Sequence, residues 1–237
     1  MPPLKDFARN AEGAGYAFAA GYVDVIGFIA LAGLFTAHVT GNIIMIGVEA
    51  VGTQNGLLLK ILALPIFVGV VAFTRISERA RLRCGRDPVV PLVGLESLLL
   101  IAFAIAGTTM HAASPDSRAY LATLTGLLAV AAMAVQNALS RTSLSDLGPT
   151  TIMTGNSTQI VVDIVDLLSP STPEEHAAIS KRLAKMIPSV LAFATGAILG
   201  GLLFSCAGYW AVALPVSVLF ALCAHRALAP NATALAP

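Results

Sequence analysis

Thr36-Ala37-His38-Val39-Thr40-Gly41-Asn42 is answered, at an offset of 114, by Thr150-Thr151-Ile152-Met153-Thr154-Gly155-Asn156. The offset lays Thr36 on Thr150 and one Thr-Gly-Asn triplet on the other, and without a gap it also lays Glu49 on Asp163. A tripeptide that recurs once is a weak signal. A threonine ahead of it and an acid behind it, both in register, make it an internal repeat. Each copy follows an apolar run and precedes a short apolar stretch and two more runs, and Pro65 and Gly69 of the second run are echoed by Pro188 and Gly196 of the fifth. The chain reads as one domain over residues 1–225, built from halves at about 13–110 and 118–225, with a disordered tail at 226–237.

The runs are Gly13–Phe35, Gly56–Thr74, Val89–Thr109, Tyr120–Asn137, Lys185–Cys206 and Tyr209–Ala224. Each is near the roughly 20 residues that cross a bilayer as a helix. Only 11% of the 237 residues are charged and 57% are hydrophobic, where a soluble domain carries roughly 25% charge. Such a chain cannot coat a globule in water, so its outer surface faces lipid. The predicted fold is an all-α polytopic transmembrane bundle of about six crossings. Ile43–Val51 and Ile160–Leu168 are too short to span and read as half-helices or interfacial helices. Three crossings per half is an odd number, so the second half starts from the opposite side and the repeats are inverted. That is a known build of secondary transporters, with the site near the midplane where the halves meet.

Arginines 75, 79, 81, 83 and 86 crowd the connection after the second run. Short loops rich in Lys/Arg stay cytoplasmic, which puts both termini inside, with Lys5 and Arg9 at one and His225 and Arg226 at the other. The loop at 140–184, with Arg141, Lys181 and Arg182, is then also inside, and Tyr209 and Trp210 form a tight outer hairpin. The first run contains Asp24 and is too long for a signal-peptide core, so it is a retained helix.

Gly21-Tyr22-Val23-Asp24, Gly27-Phe28, Gly33-Leu34-Phe35, His38 to Asn42, and in the second half Gln136-Asn137 and Met153-Thr154-Gly155-Asn156, carry a likeness. They resemble the bacterial YoaK-type membrane family, which is defined by a domain of unknown function. The resemblance covers nearly the whole chain and implies a multi-pass protein of the bacterial inner membrane. It implies no substrate and no catalytic residue.

Several residues could carry chemistry. Thr40-Gly41-Asn42 and Thr154-Gly155-Asn156 stand where short helices begin. Thr and Asn suit N-caps, Gly admits close approach, and unpaired N–H groups at a helix start attract an anion or a carbonyl oxygen. The alternative for each is a capped helix on the membrane surface. Asp24 within an apolar run should face the bundle interior, as a proton, cation or substrate site or as a structural hydrogen bond. Gln136 and Asn137 hold the comparable place in the second half without charge. His38 is a candidate proton relay, though a lone histidine at the outer interface is more often simply polar. Glu49 and Asp163 share a helical face with their asparagines, and Asp163 with Asp166, opposite an apolar stripe from Ile160 to Leu168, suits a helix lying on the cytoplasmic surface. Glu96, inside the third run, is expected to snorkel to an arginine of the cytoplasmic loop. Gly196, Gly200 and Gly201 form a small-residue face for close helix packing.

Cys84, Cys206 and Cys223 lack any ligand or redox spacing, so no metal or cofactor is implied. A net charge of +1 argues against a nucleic-acid partner. No Walker, GxSxG, HExxH or dinucleotide motif occurs, which argues against an enzyme or an ATP-driven pump. The partners expected are the lipid bilayer and a small solute, with a homo-oligomer left open. The expected function is a secondary transporter for a small polar or anionic solute, proton-coupled through Asp24. The alternatives are a channel-like pore and a membrane-embedded protein that transports nothing.

Overall fold

A computed structural model describes residues 2–52, 56–169 and 172–228, and its regular elements are all helical. The helices are α1 (Pro2–Ala30), α2 (Val39–Val51), α3 (Leu57–Arg83), α4 (Val89–Ala112), α5 (Pro115–Ser140), α6 (Met153–Leu167), α7 (Pro173–Ala207) and α8 (Ala213–Leu228). Short 3-10 segments at Ser145–Leu147 and Gly208–Val212 precede α6 and α8. Five helical segments are long and apolar enough to cross a bilayer, namely Asp6–Ala30, Leu57–Arg83, Val89–Met110, Ser117–Ser140 and Pro173–Leu228. The last holds both α7 and α8, and Arg226 of α8 returns to Glu12 near the start of α1 while the Ala211 carbonyl lies on Tyr22, so the chain reverses at Gly208. Side chains such as Val68, Phe73, Leu98, Ile105, Leu191 and Ile198 point outward. A water-facing monomer does not expose apolar surface on that scale. This is a multi-pass membrane protein.

The helix directions follow from cross-helix contacts. Along α1, Gly13, Phe18 and Tyr22 meet Ser189, Gly196 and Gly200 of α7 in rising order, so α1 and α7 run parallel. Gly126 and Ser143 of the α5 region meet Leu59 and Glu78 of α3 in rising order, so α3 and α5 are parallel too. The first crossing of one half thus pairs with the second crossing of the other, in both combinations, and each short helix packs on the second crossing of its own half. This reciprocal pairing is what a two-fold relation between inverted halves requires.

Glycine sets the α1–α7 seam. A Cβ at Gly196 would strike the Phe18 carbonyl, and one at Gly200 would lie 2.8 Å from the Tyr22 carbonyl oxygen. Only bare backbone lets the axes come this close. Gly201 and Gly69 face no such contact, so the echo of Gly69 in Gly196 does not extend to packing.

Four expectations are revised. The first apolar run does not continue as helix to Phe35. It ends at Ala30, and the chain turns at Ala32 (φ 52°) and Gly33 (φ 77°) before folding back. The connection at 140–184 is mostly helical, because Thr172 and Glu175 form a capping box that starts α7 well before Lys185. Trp210 is exposed as an interfacial aromatic should be, but Tyr209 is buried against Phe103 and Phe204. The expected tail is helical through Leu228, and its remainder lies outside the described residues.

Candidate functional site at the meeting of the two triplets

In the first half, the segment after α1 folds back because Asp24 holds it. Asp24 Oδ1 accepts from the Thr36 and Ala37 amides at 2.7 and 2.8 Å and from the Thr36 hydroxyl at 3.2 Å, and its Oδ2 lies 2.7 Å from His38 Nδ1. The carboxylate is buried and fully employed, so the structural hydrogen bond foreseen for it is present. His38 is not an isolated interfacial residue. Its ring lies edge-on to Phe193 of α7 and against the Thr151 backbone of the other half.

The asparagines of the triplets lock their own loops. Asn42 accepts from the Phe35 N–H at 2.8 Å and donates to the Phe35 carbonyl at 2.7 Å. Asn156 donates to the Pro149 carbonyl at 2.8 Å. Phe35 and Pro149 are themselves related by the offset of 114, and proline has no N–H to offer, so the second lock has one bond where the first has two. This corrects the capping role. The helix boundaries fall at His38 and Ile152, neither start has a side-chain cap, and the triplets lie inside the first turn. Thr40, Thr154 and Gly155 are exposed, while Gly41 packs on the Phe35 ring.

The two helix starts meet. Asn137 Nδ2 donates to the Ala37 carbonyl at 3.3 Å, and Asn137 Oδ1 accepts from the Thr151 hydroxyl at 2.7 Å. Gln136 donates to the Tyr16 carbonyl and to Thr150 Oγ1. The junction therefore lies between the levels of Tyr16 and Asp24, near the middle of the Asp6–Ala30 span. Asn137 of α5 thus bridges the residues ahead of the two short helices inside the bundle, and His38 meets the Thr151 backbone directly.

Farther along each short helix the in-register acids are ion-paired. Glu49 pairs with Lys60 of α3, both side chains wholly buried, and Lys60 also donates to the Ala32 carbonyl at 2.6 Å. Asp163 takes Arg182 of α7 through both oxygens, at 2.5 and 2.7 Å, and Gln159 at 2.8 Å. Arg182 holds the Asp163 carboxyl below its ordinary range, with Gln159 adding to the effect. The surface-helix reading of α6 is corrected here: Asp163 points into the protein, and Val161, Ile164, Val165 and Leu168 point out. Sequence reasoning passed over Lys60 and Arg182. Lys60 was visible as a lone cation inside the second apolar run, which is costly unless paired. Glu96 is also corrected. It is wholly buried in α4, no arginine reaches it, and neither carboxyl oxygen has a hydrogen-bond partner among the described residues.

Beside the second tip lies an open cavity of about 400 Å³, lined by Gly148, Pro149, Asn156, Gln159, Arg182 and Lys185, with Met186 at its wall. The Lys185 ammonium has no hydrogen-bond or ion-pair partner among the described residues, while its carbonyl accepts from the Ser189 hydroxyl at 3.2 Å. In the first half, Leu34 and Phe35 stand where the cavity has Gly148 and Pro149. Leu34 is fully buried, packing with Leu59 at Gly126.

A family described as a protein of unknown function, DUF1275, matches residues 13–225. The chain belongs to this family. The DUF1275 match takes in both triplets, both ion pairs and the junction between them. No curated protein and no solved structure matches the chain.

Proposed function

We propose that this DUF1275 protein is a secondary transporter for a small anionic or polar solute. It works in a bacterial inner membrane with both termini cytoplasmic, as the YoaK-type likeness and the arginine-rich connection after α3 suggest. The observation that carries the reading is the cavity of about 400 Å³ beside Asn156, with an unpaired Lys185 and a half-exposed Arg182 in its wall. Its volume suits a small ligand, for which sites of roughly 300–1,000 Å³ are usual. A cation without a counter-ion in such a wall attracts an anion. The solute would enter from the second half's side and stop at the hydrogen-bonded junction of Ala37, Asn137 and Thr151. Passage to the other side then requires the junction to part and the Glu49–Lys60 side to open, which is alternating access rather than a continuous pore. Asp24 and His38, at the junction, are the groups placed to link its parting to a proton.

The test is a thermal-shift screen of small inorganic and organic anions on the detergent-solubilised protein, with Lys185→Gln as control. At least one anion should raise the wild-type Tm and leave the variant unmoved, and that anion should enter proteoliposomes with saturation under a pH gradient. Asp24→Asn should insert normally and lose the gradient-driven uptake. If no anion separates wild type from Lys185→Gln, the anion reading is lost; flux without saturation points to a channel instead.

A further inference from the structure

We propose that Glu96 is a proton-binding site within the bundle, separate from the Asp24–His38 junction and occupied by a proton in the state described here. Glu96 sits in α4 about 10 Å along the helix from Val89 by rise per residue. Its side chain is wholly buried and both carboxyl oxygens lack a hydrogen-bond partner among the described residues. The other buried acids differ. Asp24 has three donors and His38, Glu49 has Lys60, Glu78 has Arg75 and the Ser143 amide, and Asp163 has Arg182. An ionised carboxylate taken from water with no partner is strongly disfavoured, and such a group neutralises instead. A proton is the smallest partner that removes the charge.

The surroundings are specific. The titratable side chains close enough to sense Glu96 are Tyr16 of α1 and Cys223 of α8. Beyond them the Glu12–Arg226 ion pair at 3.0 Å ties α1 to α8, and Asp87, at the head of α4, caps the Val89 and Val90 amides. On α5, which packs against α4, Ala129, Val130 and Met133 are buried and apolar. From α3, Arg75 and Glu78 are engaged with each other, and Tyr209, before α8, packs at Gly107, farther along α4. Among the described residues no cation pairs with Glu96, and the Tyr16 hydroxyl and the Cys223 thiol are donors that could turn toward it when the proton leaves. The site lies where α4 and α8, the third crossings of the two halves, pack on each other, so a shift of one half against the other would change its hydration.

The chemistry for a test follows from the protonated state. A carbodiimide adds to a carboxylic acid: the acid proton goes to one carbodiimide nitrogen while a carboxyl oxygen bonds to the central carbon. The resulting O-acylisourea, where water is excluded, rearranges by an O-to-N acyl shift to a stable N-acylurea with no atom lost. The full chain in detergent micelles is treated with dicyclohexylcarbodiimide and, separately, with a water-soluble carbodiimide, and the adduct is mapped by peptide mass spectrometry. Glu96 should carry the dicyclohexyl adduct, the water-soluble reagent should leave it unmodified, and labelling should fall as pH rises. Glu96→Gln should lose the adduct at this peptide, and Glu96→Asp should retain it, with both variants monodisperse on gel filtration. Three outcomes overturn the proposal: an unlabelled Glu96 in folded protein, equal labelling by the water-soluble reagent, or labelling flat with pH wherever the protein stays folded. None of these readouts depends on a solute or on transport.

Discussion

The same seven-residue frame is flanked by buried bulk in the first half and borders an open cavity in the second. In the first half, the loop ahead of the triplet carries Leu34 and Phe35, and the acid of the short helix is matched by a lysine whose ammonium is wholly inside, held by Glu49 and the Ala32 carbonyl. In the second half, the loop carries Gly148 and Pro149, and the acid is matched by an arginine whose side chain is about 45% exposed at a cavity. The junction between the tips is shared; what differs is bulk beside it and the type of cation behind it. A compact ammonium can be enclosed in a dry site, whereas a guanidinium binds its carboxylate with one edge of the fork and keeps the other free. Conformational asymmetry between inverted halves thus has a cause in four loop residues and two cations, and the two sides can be perturbed one at a time.

The largest effect is expected from opening the closed side. Lys60→Met leaves Glu49 buried without its cation, and breaking a fully buried pair from one side costs about 3–5 kcal/mol. The double variant Glu49→Gln, Lys60→Met removes the stranded charge and should recover most of that loss. Thermal unfolding in detergent measures both. A single variant as stable as wild type would mean that this pair does not hold the first side shut. The matching change on the open side, Arg182→Met, should cost less, since Asp163 keeps Gln159 and has the cavity beside it.

The two asparagine locks give a finer comparison. Asn42→Ala strands an N–H and a carbonyl of Phe35, while Asn156→Ala strands only the Pro149 carbonyl. With about 1 kcal/mol per lost hydrogen bond, the first should cost about 2 kcal/mol and the second about 1. Equal losses would show that the proline has not weakened the second lock.

The offset of 114 that defines the repeat also relates the two locks residue for residue, although the sequence alone points to capping for these asparagines. The six runs, three per half, give α1 and α7 one direction and α3 and α5 the other without any coordinates, because inversion follows from counting; that these helices pack as pairs comes from the structure. The offset of 114 identifies Asn42 with Asn156 and Glu49 with Asp163, and these pairs do play matching roles. What composition could not give is direction within a turn. Thr-Gly-Asn has cap chemistry, yet the asparagine does more by tying down the loop seven residues back than by capping its own helix. Lys60 and Arg182 lie outside the gap-free part of the repeat, so no register pointed to them. Glu96 was assigned an arginine because an acid near a basic loop is usually within reach of it; that α4 turns this residue inward, between Tyr16 and Cys223, depends on packing between helices far apart in the chain.

The smallest effect concerns pH and separates the two ion pairs by their access to water. Asp163 is held below its ordinary range of about 3.8 by Arg182, so deprotonated Asp163 favours the folded state. The sign follows from linkage: a group whose folded value is depressed contributes its full stability above the unfolded value, and loses it as pH falls through the folded one. Asp163→Asn has no proton to take up at this position. The Tm difference between wild type and Asp163→Asn should therefore be constant well above pH 3.8 and narrow as pH is lowered past it. Arg182 is half in water, so salt should shrink the same difference at neutral pH, as it does for exposed pairs. The buried Glu49–Lys60 pair is sheltered from counter-ions, and the stability lost in Lys60→Met should hardly respond to salt. If salt weakens both pairs alike, the first side is as open to water as the second, and the asymmetry on which the proposed transport cycle rests is absent in solution.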